Sequence, residues 1–246
     1  MYAWCLLSGD GNPPGFNPVF NTFSGRTAIG RARLLRNGQT TLSPVCYPSS
    51  GRTLRRRSST LPEHKWYHLI RWQTERDAFE EGAWFHGRIY EERCDLSPDG
   101  SLFVYFCHGG ALRPRYTDAW TALSRAPWLY ALGLWPRGST WGGGGRFLDN
   151  RRLKLHVNMR VATHPDHPAT GLKILEGDAE YHRSTGEVEG ADWCGHDHQG
   201  HLVYCRGGKL FRHGKGRDGQ DKELADFNSL RPNPRPAPDW AKHSIG

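Results

Sequence analysis

The chain reads as an all-β protein built from repeated units of about fifty residues, and three observations predict it. First, Asp95-Leu96-Ser97-Pro98-Asp99-Gly100 runs into the apolar stretch Ser101 to Phe106. Fainter turn-then-strand echoes follow, Asp149-Asn150 before Leu153 to His156 and Gln199-Gly200 before Leu202 to Cys205. The turn residues Gly100, Asn150 and Gly200 keep one spacing, as expected of stacked or radially arranged β units. Second, 10 Trp, 9 Tyr and 10 Phe supply the bulk a β core needs, while 30 Gly and 16 Pro supply its turns. Third, the helical candidates are few and short. Glu75 to Glu81, Asp118 to Arg125 and Lys222 to Leu230 are each too short to stand without tertiary support.

Along the chain, Met1 to Leu7 is apolar but lacks a basic leader and breaks at Ser8-Gly9-Asp10-Gly11, which argues against an export signal. Gly and Pro punctuate residues 8 to 18 too densely for regular structure. Strands are expected at Ala28 to Leu35, Trp66 to Gln73, Ala83 to Glu91, Ser101 to Cys107, Leu129 to Trp135, Arg152 to Val157 and His201 to Arg206. Lys209 to Arg212 follows Gly207-Gly208 as a hairpin return. In the best-marked turn Pro98 presets φ, Asp99 tolerates turn geometry and Gly100 takes a positive φ. Residues 1–230 are expected to form one β-rich domain, with a basic loop at about 48–62. The Pro-rich tail 231–246 is expected to be extended and pinned by Trp240.

The net charge of +8 is concentrated at one end. Residues 1–60 hold eight arginines and a single acid, Asp10, and the remainder is nearly neutral. No apolar run approaches the roughly 18–20 residues of a membrane span. Six cysteines are too sparse for a disulfide scaffold and suit a reducing compartment, so a cytoplasmic location is expected. Cross-strand pairing of Cys94 with Cys107 and of Cys194 with Cys205 is geometrically conceivable around the corresponding turns.

Ser97-Pro98-Asp99-Gly100 with Asp95 ahead of it and a strand behind it resembles the blade signature of TolB-type β-propellers. The signature is complete once, and the later copies keep only turn and strand. The resemblance covers about residues 80–213 and implies a propeller-like fold of four or five blades. An irregular β-sandwich is the competing architecture. By fold analogy a propeller implies a binding or scaffold surface more often than catalysis.

Three constellations carry chemistry. Cys194, His196 and His198 share one face of an extended strand, with His201 and Cys205 close behind, a donor set that suits zinc. Against it, ligands at every second position spread over about 13 Å of strand unless the chain bends. Trp141-Gly142-Gly143-Gly144-Gly145-Arg146 combines a stacking ring, approachable backbone N–H groups and a cation, which makes Trp141 and Arg146 candidate ligand contacts. The competing reading is a plain connecting loop. Arg55, Arg56 and Arg57 sit in a polar loop suited to phosphate contact or to simple solvation. Gly-x-Ser-x-Gly, His-Glu-x-x-His and Cys-x-x-Cys strings are absent. The expectation is a non-catalytic binding module with a protein partner and no membrane. The alternatives are a metal-dependent enzyme using 192–205 and a nucleic-acid binder using 52–57.

Overall fold

The computed structural model describes residues 2–9, 17–22, 28–29, 65–109, 117–156, 162–178, 185–197, 199–214 and 219–245; for the first three segments and Lys65 only the backbone is described. Nearly all of the regular structure is β, in three antiparallel or mixed sheets. The first sheet begins with β1 (Tyr2–Gly9), β2 (Asn17–Thr22), β3 (Ala28–Ile29), β4 (Lys65–Gln73) and β5 (Ala78–Ile89), in spatial order β3-β2-β1-β4-β5. A 3-10 turn, Glu91–Arg93, then leads to an antiparallel meander of β6 (Asp95–Leu96), β7 (Leu102–His108), β8 (Ala119–Arg125) and β9 (Gly133–Pro136). The second sheet holds β10 (Gly145–Phe147), β11 (Arg152–His156) and β12 (Lys173–Gly177), the last pairing in parallel. The third is a second four-stranded meander, β13 (Trp193–His196), β14 (Leu202–Arg206), β15 (Lys209–Arg212) and β16 (Lys222–Asp226).

Turns of the marked kind join β6 to β7, β10 to β11 and β13 to β14. Gly100 closes the first by donating its N–H to the Ser97 carbonyl at 2.8 Å, and Gly200 does the same to Asp197 at 3.0 Å. Both glycines have positive φ, +72° and +76°, as the turn chemistry requires. Leu148 donates to the Arg152 carbonyl across the corresponding turn of the second sheet. Neighbouring turns touch, the Asp99 N–H donating to Asn150 Oδ1 at 3.0 Å.

Alternation along the strands divides the core into layers. Tyr67 and Leu69 of β4 pack with Phe103, Tyr105 and Cys107 of β7 and with Ala122 of β8. Ile70 and Trp72, beyond a register shift in β4, turn to the other side and meet Trp193, Val203, Cys205 and Leu210 of the third sheet. Leu102, Val104, Leu123 and Trp135 cover Phe147, Leu153 and Leu155 of the second sheet. The third sheet therefore packs on β4–β5, β4–β5 on the first meander, and that meander on β10–β11.

The structure alters several expectations. All three helical candidates are β or turn. Residues 74–77 form the β4–β5 turn, 119–125 is β8 and 222–226 is β16. Propensity loses here because β8 is hydrogen-bonded on both sides, by β7 and β9, and is buried along most of its length. The strand foreseen at Leu129 to Trp135 begins only at Gly133, since Trp128 to Leu132 turns out of the sheet. Cys94, Cys107, Cys194 and Cys205 are free thiols. In the β13–β14 register Cys194 opposes Tyr204 and Cys205 opposes Trp193, so the two sulfurs lie on opposite faces. The expected strand over Ala28 to Leu35 is described only at Ala28–Ile29, and the loop at 48–62 lies outside the described residues. Among the described residues no helix is long and apolar enough to cross a membrane.

Two glycines separate backbone strain from crowding. A Cβ on Gly143, whose φ is +89°, would overlap the Phe106 ring, whereas Gly200 has open space around it. Gly200→Ala is predicted to cost about 1–2 kcal/mol for the left-handed backbone alone. Gly143→Ala is predicted to cost about 1–3 kcal/mol more through overpacking. Urea denaturation of both variants checks this, and equal losses would contradict the close approach at Gly143.

Candidate functional site

The glycine-rich loop is a close-packed passage between sheets. Gly143 donates its N–H to the His156 carbonyl and Gly144 to Thr121 Oγ1, both at 2.9 Å. A Cβ on Gly144 would run into the backbone of Arg93. Two of the N–H groups expected to be approachable by an anion are thus engaged inside the protein. Arg146 is a β10 residue opposite Lys154, and its charge acts on the buried carboxyl of Asp95.

Trp141, just ahead of this passage, is 80 % exposed. Its loop is nevertheless held firmly. Arg93 donates to the carbonyls of Thr140 (2.9 Å) and Gly142 (2.7 Å), and Arg137 donates to that of Trp141 (3.0 Å). Arg93 is itself fixed against the faces of Tyr90 and Phe106, at 5.0 and 5.3 Å from their ring centres. Burial, together with the nearby charge of Arg93, lowers the pKa of Arg137. Arg93 belongs to the connection into β6, and the 137–144 loop is the connection into β10. The connection into β13 is clamped in the same way, by Arg206 donating to the carbonyls of Glu189 (2.7 Å) and Gly190 (3.3 Å). The site centres on these tied connections into β6 and β10, with Trp141 projecting from the second.

The Cys/His segment is dispersed. Cys194 is buried on the face of β13 shared with Tyr204, where it receives the Thr185 hydroxyl at 3.5 Å. His196 lies 3.6 Å from Glu187. His201 contacts Asp197 Oδ2 at 3.1 Å, the same oxygen that faces Arg212 at 3.4 Å. Arg212 in turn clasps Asp77 of the β4–β5 turn through two bonds of 2.8 and 2.9 Å. Asp197 and His201 therefore take part in tying the third sheet to the first. Among the described residues no three His, Cys, Asp or Glu side chains converge where they could hold a metal ion. His198, Arg55, Arg56 and Arg57 lie outside the described residues.

Two buried carboxyls join the chain where sequence reading found only turn formers. Asp95, fully buried, accepts the Phe147 N–H at 2.8 Å across two sheets, and burial pushes its pKa up to about 7. Asp192 accepts the Gly207 N–H at 3.1 Å, and burial pushes it to about 7 as well. The signals available were Asp95 ahead of the turn signature and Asp192 ahead of an apolar pair. Neither reveals a partner fifty or fifteen residues away.

Comparison with family models, with curated proteins and with solved structures returns no match for this chain.

The carboxyls make stability depend on pH with a definite sign. In the folded chain Asp95 and Asp192 hold their protons to about pH 7. Unfolded, they release them near pH ~4. Between these limits the unfolded state binds fewer protons, so their contribution lowers stability as pH rises through the window and levels off above it. In the Asp95→Asn/Asp192→Asn variant an amide oxygen still accepts each N–H. The drop in stability between about pH 5 and about pH 8 is predicted to shrink in urea denaturation. A drop as large as in the parent would contradict the assignment.

Proposed function

We propose that this chain is a non-catalytic, protein-binding module on a four-unit, propeller-like scaffold. The observation that carries the binding reading is the exposed Trp141 ring on a loop whose carbonyls are clamped by Arg93 and Arg137. A large aromatic held in place before the partner arrives loses little conformational freedom on binding, and such residues dominate interface energetics. Tethered backbone and exposed ring together describe an anchor.

Three features support the propeller-like scaffold. The repeated turn falls between the first and second strands of each of the last three units. The first unit packs on the second and the second on the third, and the last unit packs on β4–β5 of the first. Asp99 and Asn150 bring adjacent turns together. Four units lie at the lower end of the roughly four-to-eight range of propellers. In this arrangement the inter-unit connections, Trp141 among them, gather at the end opposite the repeated turns.

Photo-crosslinking tests the reading. A benzophenone amino acid at position 141 of the full chain is expected to capture a discrete protein in extracts of the source cells. The same label at Leu148, which is 47 % exposed on the repeated-turn side, is not. Trp141→Ala is then expected to weaken binding of that purified partner by about 30-fold or more, as for a hot-spot side chain. Equal capture from both positions, or unchanged affinity, overturns the proposal.

A further inference from the structure

At the other end of β8 from the Trp141 loop, three segments distant in sequence line an open cleft of about 170 Å³. One wall is the Tyr130 to Leu132 stretch, the floor is the loop from Asp166 to Thr170, and the other wall is the C-terminal segment with Lys242, Ser244 and Ile245. Each wall is anchored independently. The floor is laid along β9, with Ala169 donating to the Leu132 carbonyl (3.0 Å) and His164 to that of Leu134 (2.8 Å). The terminal segment is held by Arg125, at the end of β8, which donates to the carbonyls of His243 (3.2 Å) and Ser244 (2.9 Å). Ala241 is buried beneath it, and Ile245 packs into the core between the first and second sheets.

The floor stores strain. Ala169 is buried with a φ of +53°, a region in which a residue bearing a Cβ is uncommon. It presses on Gly133, where an added Cβ would lie 2.5 Å from that of Ala169. Strain of this kind persists only where the surroundings enforce it, and it gathers at ligand sites.

The lining chemistry selects the ligand. Tyr130, 42 % exposed, lines the cleft together with Asp166, His167, Thr170 and Lys242, residues that carry a carboxylate, an imidazole, a hydroxyl and an ammonium. His167 Nδ1 lies 2.8 Å from the Ala131 carbonyl. Since a carbonyl only accepts, Nδ1 carries the proton and the ring is fixed in orientation. Lys242 is already paired with Asp239 at 2.9 Å, so with Asp166 also present the cleft has no surplus positive charge for a phosphate. An aromatic face beside mixed donors and acceptors, with no net cationic pull, matches a pyranose. Its C–H face stacks on a ring, and its hydroxyls both donate and accept.

We infer that the cleft between Tyr130, the 166–170 loop and the C-terminal segment is a monosaccharide-binding site. It is independent of the Trp141 surface, since β8, seven residues long, separates the two by about 20 Å.

Saturation-transfer NMR on the full chain, with glucose, galactose, mannose, xylose and N-acetylglucosamine as probes, tests it. At least one sugar is expected to receive saturation, strongest on the protons of a single ring face. Tyr130→Ala is expected to weaken that binding by about fivefold or more, Tyr130→Phe to preserve most of it, and Trp141→Ala to leave it unchanged. Silence from every sugar overturns the proposal, as does a signal that survives Tyr130→Ala. So does calorimetric binding of inorganic phosphate that Lys242→Ala abolishes. Near-ultraviolet circular dichroism confirms that each variant keeps its fold, and the exposure of Tyr130 and Lys242 makes that outcome expected.

Discussion

The joint between the first meander and the second sheet depends on one buried hydrogen bond, from the Phe147 N–H to the Asp95 carboxyl. A β strand entering a packed interior must find partners for every backbone group, and an orphaned N–H there costs about as much as a lost hydrogen bond. β10 is only three residues long and pairs with β11 on one side. Asp95 serves part of the other side, and Thr121 does the same for Gly144 one turn earlier. These polar bridges require the two sheets to approach closely, and the side-chain-free passage at Gly143 and Gly144 permits it. Once the sheets meet there, Phe147, Leu153 and Leu155 are placed against Leu102, Val104 and Trp135. The carboxyl thus fixes where apolar burial takes place.

The fold was legible where its physics is local. Gly100 and Gly200 marked turns because a positive φ is what glycine supplies, and the strands after them showed as bounded apolar runs; both features are present. β15 followed from Gly207-Gly208 as a hairpin return. What failed was decided elsewhere in the chain. Ala119 to Arg125 contains good helix formers, yet it lies between two strands that claim its hydrogen bonds. The Leu129 to Trp135 run splits because its first half faces the cleft while only its last part joins the sheet.

The candidate site was partly legible, for a related reason. Trp141 stood out as a large ring among glycines, and it is exposed. The same glycines suggested an anion cradle, but the N–H groups of Gly143 and Gly144 are engaged by His156 and Thr121, partners on other strands. The guanidinium that steadies the loop belongs to Arg93, 48 residues before Trp141. In the Cys/His segment, local density drew attention to chemistry, whereas His201 meets Asp197, which faces an arginine that bridges to Asp77. Composition showed which groups were present; only the register showed which of them were already engaged.

β5 pairs with β4 along most of its length, and then its last two residues, Arg88 and Ile89, pair with His108 and Cys107 of β7. One strand thus joins the β1–β4 part of the sheet to the β6–β9 meander. Arrays whose repeats touch only through side chains can melt one repeat at a time, with stability summed over nearest neighbours. Here the passage from β4–β5 to the meander is crossed by continuous main chain and by ladder hydrogen bonds on either side of Gly87. Loosening either part frays the strand that holds the other. Main-chain hydrogen bonds, and not side-chain contacts alone, therefore couple β4–β5 to the meander, and the two are expected to unfold together.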